Sequence, residues 1–520
     1  MCCGFARTIY TAWELPLNAL QLFLSLGLCE LLLLKGSGAG GSAVKRKIFI
    51  AILGVTGLIG FLWMCLGNGV SAVSSGFKYR PFTLWERLLT QSRVLVFYLS
   101  LLLYPMPERL SLFHEFPIST SLWNPLSTLF SVVSLAGILG VLIAAARRYA
   151  LVSFCFLFFF VNHLMESTFL PLDLIYEHRN YIPSMLFFVP FALGFCSLLG
   201  RHQEEKRMRV ALSLFAALVI AGFGHATYER NRVWKDPQTL WLDALGKAPG
   251  ESRVHHNVAA FYQGGGQLHK AMEEYEKALS LNTYPRKGEE AVTYFNLGNL
   301  HRDLGDPEQA GVLYQKAVQV DPACYPALNS LAVLYEREGR KDDVLPLLLR
   351  ALKAEPRSSN TNYNFGLFHL KSGDPEKAVP YLATALEDPG IRHSARVSMG
   401  VAYKQMGSRG KAYMLFEQAL AANPKDVVPR LHLVDLYRSA GLEERALDQG
   451  RDLMDILLKD DTLFYNTVGF VHEKGRSKEV GLSSEAILPV LHQAMRQRGD
   501  IFESQLSYLK KILDKESKIE

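Results

Sequence analysis

The sequence predicts an all-α protein in two parts, a polytopic transmembrane helical domain of about six spans followed by an α-solenoid of paired helices. Two observations predict this class. Long apolar runs are confined to residues 1–227, and they have the length of membrane spans. In the second half small residues recur every 34 positions, at Gly298, Ala332, Gly366 and Gly400. A fixed period of this size is typical of stacked helical repeats.

The same period holds at further offsets. Twelve positions after the first series stand Ala310, Val344, Ala378 and Ala412. Seven positions after those stand Ala317, Ala351, Ala385 and Ala419, and prolines recur as Pro322, Pro356 and Pro424. Small residues are needed where two helices pack closely, and proline ends the second helix of each pair. The pattern is the signature of tetratricopeptide (TPR) repeats, which are antiparallel helix pairs stacked into a superhelix.

The repeats and their neighbours divide the chain into four predicted segments. We predict a membrane domain over 1–227, a juxtamembrane half repeat over 228–250, about six TPR repeats over 251–460 and a C-terminal helical cap over 461–520. The half repeat rests on Trp241, Ala244 and Pro249, which stand where a second repeat helix would carry them.

Six apolar runs are long enough to span a membrane, and they cover residues 15–34, 48–66, 126–146, 149–165, 182–199 and 210–224. The first run admits a second interpretation, a cleaved signal peptide, but its length and the basic KRK that follows at 45–47 favour a retained span. A seventh run, 94–104, is short, and it either lies along the interface or forms a tilted span.

Charge predicts the topology. Residues 1–227 hold 17 Lys+Arg against 10 Asp+Glu, and the remaining residues hold 39 basic against 40 acidic side chains. The basic excess therefore belongs to membrane loops, and nucleic acid is not an expected partner. If 94–104 does not span, the basic loops share one face, which the positive-inside rule makes cytoplasmic. We therefore predict an integral protein of a bacterial inner membrane, with the repeats on the exoplasmic, periplasmic side.

The loop between two predicted spans, 162–184, concentrates ionisable residues close to the bilayer. Such groups are expensive at membrane depth and usually have a specific role. His163 and Glu166 are three positions apart, so on a helix they share a face and suit a divalent metal ion or each other. Arg179 suits a phosphate, with His178 beside it. The alternative is a loop whose charges pair among themselves and with lipid headgroups.

A second segment, 80–116, alternates charged and apolar residues at helical spacing. It predicts one or two helices lying on the outer leaflet, with Trp85 and Tyr98 as interface anchors. The alternative is a short tilted span followed by a connecting loop.

The repeat register also predicts a binding groove. Eight polar residues should project from first helices towards the inner face: His256, Asn299, Arg302, Asn329, Glu336, Tyr363, Lys404 and Arg438. Mixed charge of this kind suits a protein or an extended peptide, and the alternative is that these are ordinary solvated positions. Five aromatic residues are expected in the core instead: Tyr275, Tyr314, Tyr335, Tyr403 and Phe416.

Three membrane-half motifs carry a resemblance to a known family. They are LLTQSRVLVFYLSLLLYP at 88–105, LSLFHEF at 110–116 and YEHRNYIPS at 176–184. Followed by a span and the repeats, they resemble bacterial relatives of the transmembrane and TPR-containing O-mannosyltransferases, which are GT-C-type glycosyltransferases. The resemblance implies transfer of a sugar from a polyprenyl-phosphate donor to an acceptor, which the repeats would hold. By position, Glu177, Arg179 and Tyr181 would lie near the donor phosphate or the acceptor, and Glu166 and His178 are further candidates.

The resemblance also carries an expectation about the start of the chain. The family uses an acidic residue in its first exoplasmic loop, whereas this chain opens with MCCGFARTIYTAWELPLN, similar to a junction ahead of a middle span. Earlier spans are thus expected to be missing, no catalytic residue is assigned, and a divalent metal is the one cofactor considered. The second functional hypothesis is a non-catalytic membrane-anchored scaffold, whose repeats gather proteins of the cell envelope.

Overall fold

The computed structural model describes residues 24–29, 32, 77, 80–164, 167, 172–284, 286–474, 482–497 and 503–516. Regular secondary structure in these residues is helical throughout, which confirms the all-α class. The chain forms two compact units, Met1–Asp321 and Pro322–Glu520.

Residues 24–29 are helical, and six helices lie between residues 84 and 233. They are α1 (Leu84–Leu103), α2 (Ser127–Ala145), α3 (Ala150–Leu164), α4 (Tyr181–Ser184), α5 (Val189–Arg201) and α6 (Lys206–Val233), with 3-10 turns at Pro107–Arg109 and Glu177–Asn180. Thr83 begins α1 through a capping box, since its side chain accepts from the Glu86 amide and the Glu86 carboxylate accepts from the Thr83 amide.

Two of these helices, α2 and α6, are long and apolar enough to cross a membrane. A third candidate is the pair Glu177–Ser184 and Val189–Arg201, which is bent by 50°. The helix α3 is apolar but has 15 residues, which is short for a span. The predicted spans 15–34 and 48–66 lie largely or wholly outside the described residues. The described residues therefore contain two or three candidate spans of the six predicted.

The predicted span 182–199 is divided into two helices. The helix α4 ends at Ser184, and α5 begins at Val189 with a proline in its first turn. Pro190 has no N–H to bond the carbonyl four residues earlier, and its ring crowds that carbonyl, which favours a kink or break at this point.

Exposed apolar side chains surround the candidate spans. On α6 the exposed residues include Leu218 and Ile220, at 72% and 70%, and on α2 they include Phe130 and Val141. Contiguous exposed apolar surface of this kind is unusual for a protein facing only water. These two helices are therefore compatible with association with a membrane.

The remaining helices of the first unit are α7 (Pro237–Lys247), α8 (Ser252–Gly264), α9 (Leu268–Leu281), α10 (Lys287–Asp303) and α11 (Pro307–Val320). The described helices of the second unit are α12 (Tyr325–Arg337), α13 (Lys341–Ala354), α14 (Ser359–Lys371), α15 (Pro375–Ala385), α16 (Arg392–Gln405), α17 (Arg409–Ala422), α18 (Val427–Ser439), α19 (Glu443–Leu457), α20 (Asp461–Lys474), α21 (Ser484–Arg496) and α22 (Glu503–Glu516). As predicted, α13 and α17 each end two residues before a proline, Pro356 and Pro424.

The close helix packing predicted from the 34-residue period is confirmed. A Cβ atom placed on Gly298 would lie 2.7 Å from Cε1 of Tyr314, and one on Gly400 would lie 2.6 Å from Cε1 of Phe416. Ala317, Ala351, Ala385 and Ala419 are completely buried. The small residues are therefore fixed by the close approach of the two helices in each pair.

Three of the five aromatic residues predicted to lie in the core are buried. Tyr275, Tyr314 and Phe416 are buried, but Tyr335 and Tyr403 are half-buried. The guanidinium of Arg340 covers the Tyr335 ring at 3.6 Å, and the ammonium of Lys411 lies 4.9 Å from the Tyr403 ring. These two tyrosines therefore meet cations at the edge of the core.

A second series of glycines with a 34-residue spacing, which the sequence analysis does not predict, lies at the turn inside each helix pair. Glycines with φ between 73° and 87° end the first helix of successive pairs at Gly305, Gly339, Gly373, Gly407 and Gly441. Left-handed backbone at this position favours glycine, because a side chain would clash there.

Candidate functional site

Three side chains on α1 hold the extended loop that follows α3. They donate to alternate loop carbonyls: Arg87 to Leu172, Gln91 to Leu174 at 2.7 Å, and Tyr98 to Tyr176 at 2.9 Å. Arg87 and Gln91 are four residues apart, a rise of about 6 Å, which matches the roughly 7 Å spanned by two residues of extended chain. Tyr98 lies seven residues after Gln91, a rise of about 10.5 Å, and its hydroxyl stands at the end of a long side chain that reaches the third carbonyl.

The prediction of Tyr98 as an interface anchor is wrong, because its side chain is used inside the protein. Tyr98 is 2% exposed, and it stacks on His163 with ring centroids 5.3 Å apart. Trp85, by contrast, is 65% exposed and stays available to an interface.

The predicted EHRN segment forms the 3-10 turn Glu177–Asn180. The side chains of Glu177 and Arg179 both form hydrogen bonds to neighbouring loops. The Glu177 carboxylate accepts from the Ser111 amide at 2.7 Å and contacts Nε2 of His114 at 2.9 Å. Arg179 donates from Nη1 to the Asp173 carbonyl oxygen at 2.6 Å, and its guanidinium lies over the Tyr176 ring. These contacts give Glu177 and Arg179 a structural role.

A cavity of about 660 Å³ opens beside this turn. Its lining mixes apolar and polar side chains. The apolar ones come from the end of α1, from the 110–112 segment, from Phe188 and from α6, and the polar ones include Glu177, His178, Asn180, Tyr181, Thr227, Arg230 and Asn231. Three of the predicted site residues therefore meet at the cavity, Arg179 is not among its lining residues, and Glu166 lies outside the described residues.

Arg230, which lines the cavity, is held by a carboxylate on α7. Nη1 of Arg230 lies 2.7 Å from one oxygen of the Asp243 carboxylate, and Nζ of Lys247 lies 2.7 Å from the other. Lys247 also donates to the carbonyl oxygens of Pro107 and Leu110, both at 2.8 Å. The three donors of the ammonium are thereby matched to three acceptors, and α7 is joined to the cavity wall.

A buried ionic cluster lies between the loop and α8. The Asp173 carboxylate pairs with Arg80 and with Arg253, the latter at 3.3 Å, and accepts from the Tyr176 hydroxyl at 2.8 Å. Burial alone would raise the pKa of Asp173, but the two guanidinium groups hold it well below its usual range. Burial, together with the neighbouring Asp173 carboxylate, raises the pKa of Tyr176 to about 12.

The described residues offer no fit for a divalent metal ion. No group of three His, Cys, Asp or Glu side chains in the described ranges is arranged to hold one. The predicted pair of His163 with Glu166 involves a residue outside these ranges, and Nε2 of His163 contacts the Asn180 side-chain oxygen at 2.9 Å.

The eight groove candidates all lie on first helices of their pairs, as predicted. Most are engaged within the protein: His256 with Thr293, Asn299 with Tyr314, Arg302 with Asp303, Asn329 with Thr361, Glu336 with Lys371, Lys404 with Asp435 and Arg438 with Glu443. Tyr363 is half-buried. Their role in binding a partner stays a prediction.

Sequence models of the tetratricopeptide repeat family match residues 251–323, 295–360, 359–387 and 393–426. These residues are TPR repeats. The matches begin at the α8 pair and extend as far as the turn before α18.

The chain is also similar to curated O-mannosyl-transferases. Human Protein O-mannosyl-transferase TMTC1 is 29% identical over 249 residues, which are 45% of this chain and 27% of that protein. Human TMTC3 is 22% identical over 294 residues, which are 53% of this chain and 30% of that protein. The matched part therefore spans less than a third of the length of these relatives.

Among solved structures, YrrB, described as a TPR protein with an unusual peptide-binding site, covers 37% of this chain. The match takes in 97% of the YrrB chain, at 22% identity and a TM-score of 0.31.

Several residues that build the site were not singled out from the sequence. Arg80 and Arg253 pair with Asp173, and Asp243 pairs with Arg230 and Lys247. Asp243 and Lys247 are four positions apart, so the sequence alone indicates an ordinary surface pair on a helix.

Acidification is expected to destabilise the first TPR pair through His256. Burial lowers the pKa of His256 to about 4, whereas an unfolded histidine titrates near 6.5. The stability is complete above pH 6.5 and is lost as the pH falls towards 4, because only the unfolded chain binds the proton in that range. The total loss is about 3 kcal/mol. Between pH 7 and pH 5 the loss is about 2 kcal/mol, and thermal unfolding of the full chain at these two pH values measures it.

A His256→Gln variant should show a flatter pH dependence, while His301→Gln, at a surface pair with Asp306, should keep the wild-type slope. Burial raises the pKa of Glu289 on α10, so protonation of Glu289 makes the folded chain more stable as the pH falls, whereas protonation at His256 makes it less stable. The comparison of the two variants isolates His256, and equal slopes in both would contradict the assignment.

Proposed function

We propose that this chain is a membrane-embedded TPR protein that binds a polyprenyl-phosphate sugar in the 660 Å³ cavity and takes part in transfer of that sugar. The acceptor is a protein held by the TPR groove. The setting is an inner membrane with the repeats on its outer side, as the charge pattern of the loops predicts.

The observation that carries the proposal is the mixed lining of the cavity. Its apolar side chains suit a prenyl chain, and Arg230 and His178 in the same lining suit an anionic group. Arg230 uses Nη1 for Asp243, and a guanidinium has five N–H donors in total, so it can also contact a phosphate.

The comparisons support the same class of reaction. Two of the similar proteins are named as protein O-mannosyl-transferases, and the YEHRNYIPS motif at 176–184 lines the cavity in part. Transfer of a mannosyl or related sugar to a protein is therefore the reaction class we propose.

Photocrosslinking tests the lipid site. A photoreactive polyprenyl-phosphate sugar is added to the full-length protein in membranes, and labelling is compared among wild type, His178→Gln and Arg230→Gln. Labelling should fall about tenfold in each variant, because each removes a contact to a phosphate worth about 1.5 kcal/mol. Arg232→Gln is the matched control, since Arg232 is exposed and pairs with Glu229. Labelling that is equal in all four proteins would contradict the proposal.

The second candidate function is a non-catalytic membrane-anchored scaffold, and one observation favours it. Glu177 and Arg179, the charged residues expected at the donor, are engaged in holding the loop. If no labelling of the wild type is seen, the scaffold becomes the better description, with the TPR repeats as its binding part.

A further inference from the structure

The segment 110–116 lies on α7 and α8 in the manner of a bound peptide. It follows the 3-10 turn Pro107–Arg109 and has no helical structure of its own. Three independent kinds of contact attach it to the corner between α7 and α8: an aromatic contact, a backbone clamp and a carboxylate contact.

The aromatic contact is made by Phe113. Its ring stacks on Trp241 with centroids 6.4 Å apart and an angle of 26°, and the Arg253 guanidinium lies 4.9 Å from it on α8. Phe113 also packs against a buried apolar cluster that includes Ala244 and Val254. The corner therefore presents a slot for one aromatic side chain, closed by a tryptophan and a cation.

The other two contacts are hydrogen bonds, one set to backbone carbonyl oxygens and one to a carboxylate of the segment. Lys247 donates to the carbonyl oxygens of Pro107 and Leu110, so it recognises main chain and not side chains. The backbone amide of Gly250 donates to the Glu115 carboxylate. Hydrogen bonds to a charged acceptor are stronger than neutral ones, so a carboxylate two residues after the aromatic side chain is favoured.

We propose that the α7–α8 corner is a peptide-recognition site, specific for an extended segment with an aromatic residue two positions before a carboxylate. In this structure the chain fills the site with its own segment 110–116. Because Leu110, Ser111 and Leu112 also line the cavity, occupation of the corner fixes one cavity wall. The proposal does not depend on the identity of the ligand in that cavity.

The alternative for these contacts is a permanent structural joint that no free peptide can enter. The two differ in one measurable property. A recognition site, once its attached segment is weakened, accepts the same segment as a separate peptide. A tethered segment competes at an effective concentration on the order of millimolar, so the wild type should bind the free peptide poorly.

The experiment uses a fluorescein-labelled peptide of sequence LSLFHEF and the full-length protein in detergent, with anisotropy as the readout. The variants Phe113→Ala and Glu115→Gln weaken the attached segment and leave α7 and α8 unchanged. We expect each variant to bind the peptide at least about tenfold more tightly than wild type. The peptide LSLAHQF, which lacks the aromatic ring and the carboxylate, should not bind.

A third substitution tests the receptor side. In the Phe113→Ala chain, Lys247→Met should abolish the gained binding, whereas Lys235→Met, at an exposed position, should leave it intact. Equal affinity of LSLFHEF for wild type and both segment variants would overturn the proposal, as would equal binding of LSLAHQF. Circular dichroism of each variant shows whether the helices are retained, and Glu115→Gln, at an exposed position, provides the test if Phe113→Ala does not fold.

Discussion

Replacing Asp173 by alanine is expected to loosen the loop from α8 and from the segment before α1. The carboxylate neutralises Arg80 and Arg253, whose side chains are 3% and 20% exposed. Removing one partner of a buried charge cluster costs about 3–5 kcal/mol, because the remaining charges stay out of water without compensation. Amide hydrogen exchange of residues 172–176 and of α8 in the full chain should therefore accelerate by more than about 100-fold.

An exposed ion pair gives the matched control for this prediction. Asp303 pairs with Arg302 at the end of α10, and both side chains are 46% exposed. Asp303→Ala should change exchange by a factor of about 2 or less, since exposed pairs contribute little. Similar effects of the two substitutions would show that Asp173 is not buried among charges in solution.

Gly400→Val is expected to destabilise the α16–α17 pair by about 3 kcal/mol. The first carbon of any side chain at this position would already lie 2.6 Å from the Phe416 ring, and Phe416 is completely buried. Neither the ring nor the helix backbone has room to move without opening the pair. Local amide exchange in α16 and α17 of the full chain measures the loss.

Gly410 on α17 provides the comparison, because nothing lies within 4 Å of a Cβ placed there. Gly410→Ala should leave stability unchanged or raise it by up to about 1 kcal/mol, the difference in helix propensity between the two residues. A Gly400→Val protein that is as stable as Gly410→Ala would contradict the packing described for the repeats.

The repeats could be predicted from sequence because the same close contact between two helices recurs in each unit. Gly298, Ala332 and Gly366 are small for one reason, contact with the second helix of the pair, and that reason recurs every 34 residues. The membrane half has no repeated unit, so no single packing contact can be inferred several times from its sequence. The break between α4 and α5 coincides with a local feature, Pro190 in the first turn of α5, which an average over a long apolar run does not register.

The site could be predicted only in its location. The motif 176–184 was singled out, and Glu177, His178 and Tyr181 do line the cavity. The partners of these residues come from positions far away in the chain, as with Ser111 and His114 for Glu177. Burial of polar groups such as Tyr98 depends on such distant contacts, and an amphipathic pattern on a helix does not distinguish a membrane surface from a neighbouring loop.

The Tyr98 side chain also sets a limit on changes in chain length. Its hydroxyl donates to the carbonyl oxygen of Tyr176 and accepts from the amide of the same residue at 2.8 Å, so one rigid ring fixes the gap between helix and loop. One residue inserted or deleted between Arg87 and Tyr98 would turn the phenol by about 100° around the helix axis. Homologous chains should therefore differ in length before Arg87 or after Leu103, and keep the eleven-residue step from Arg87 to Tyr98 unchanged.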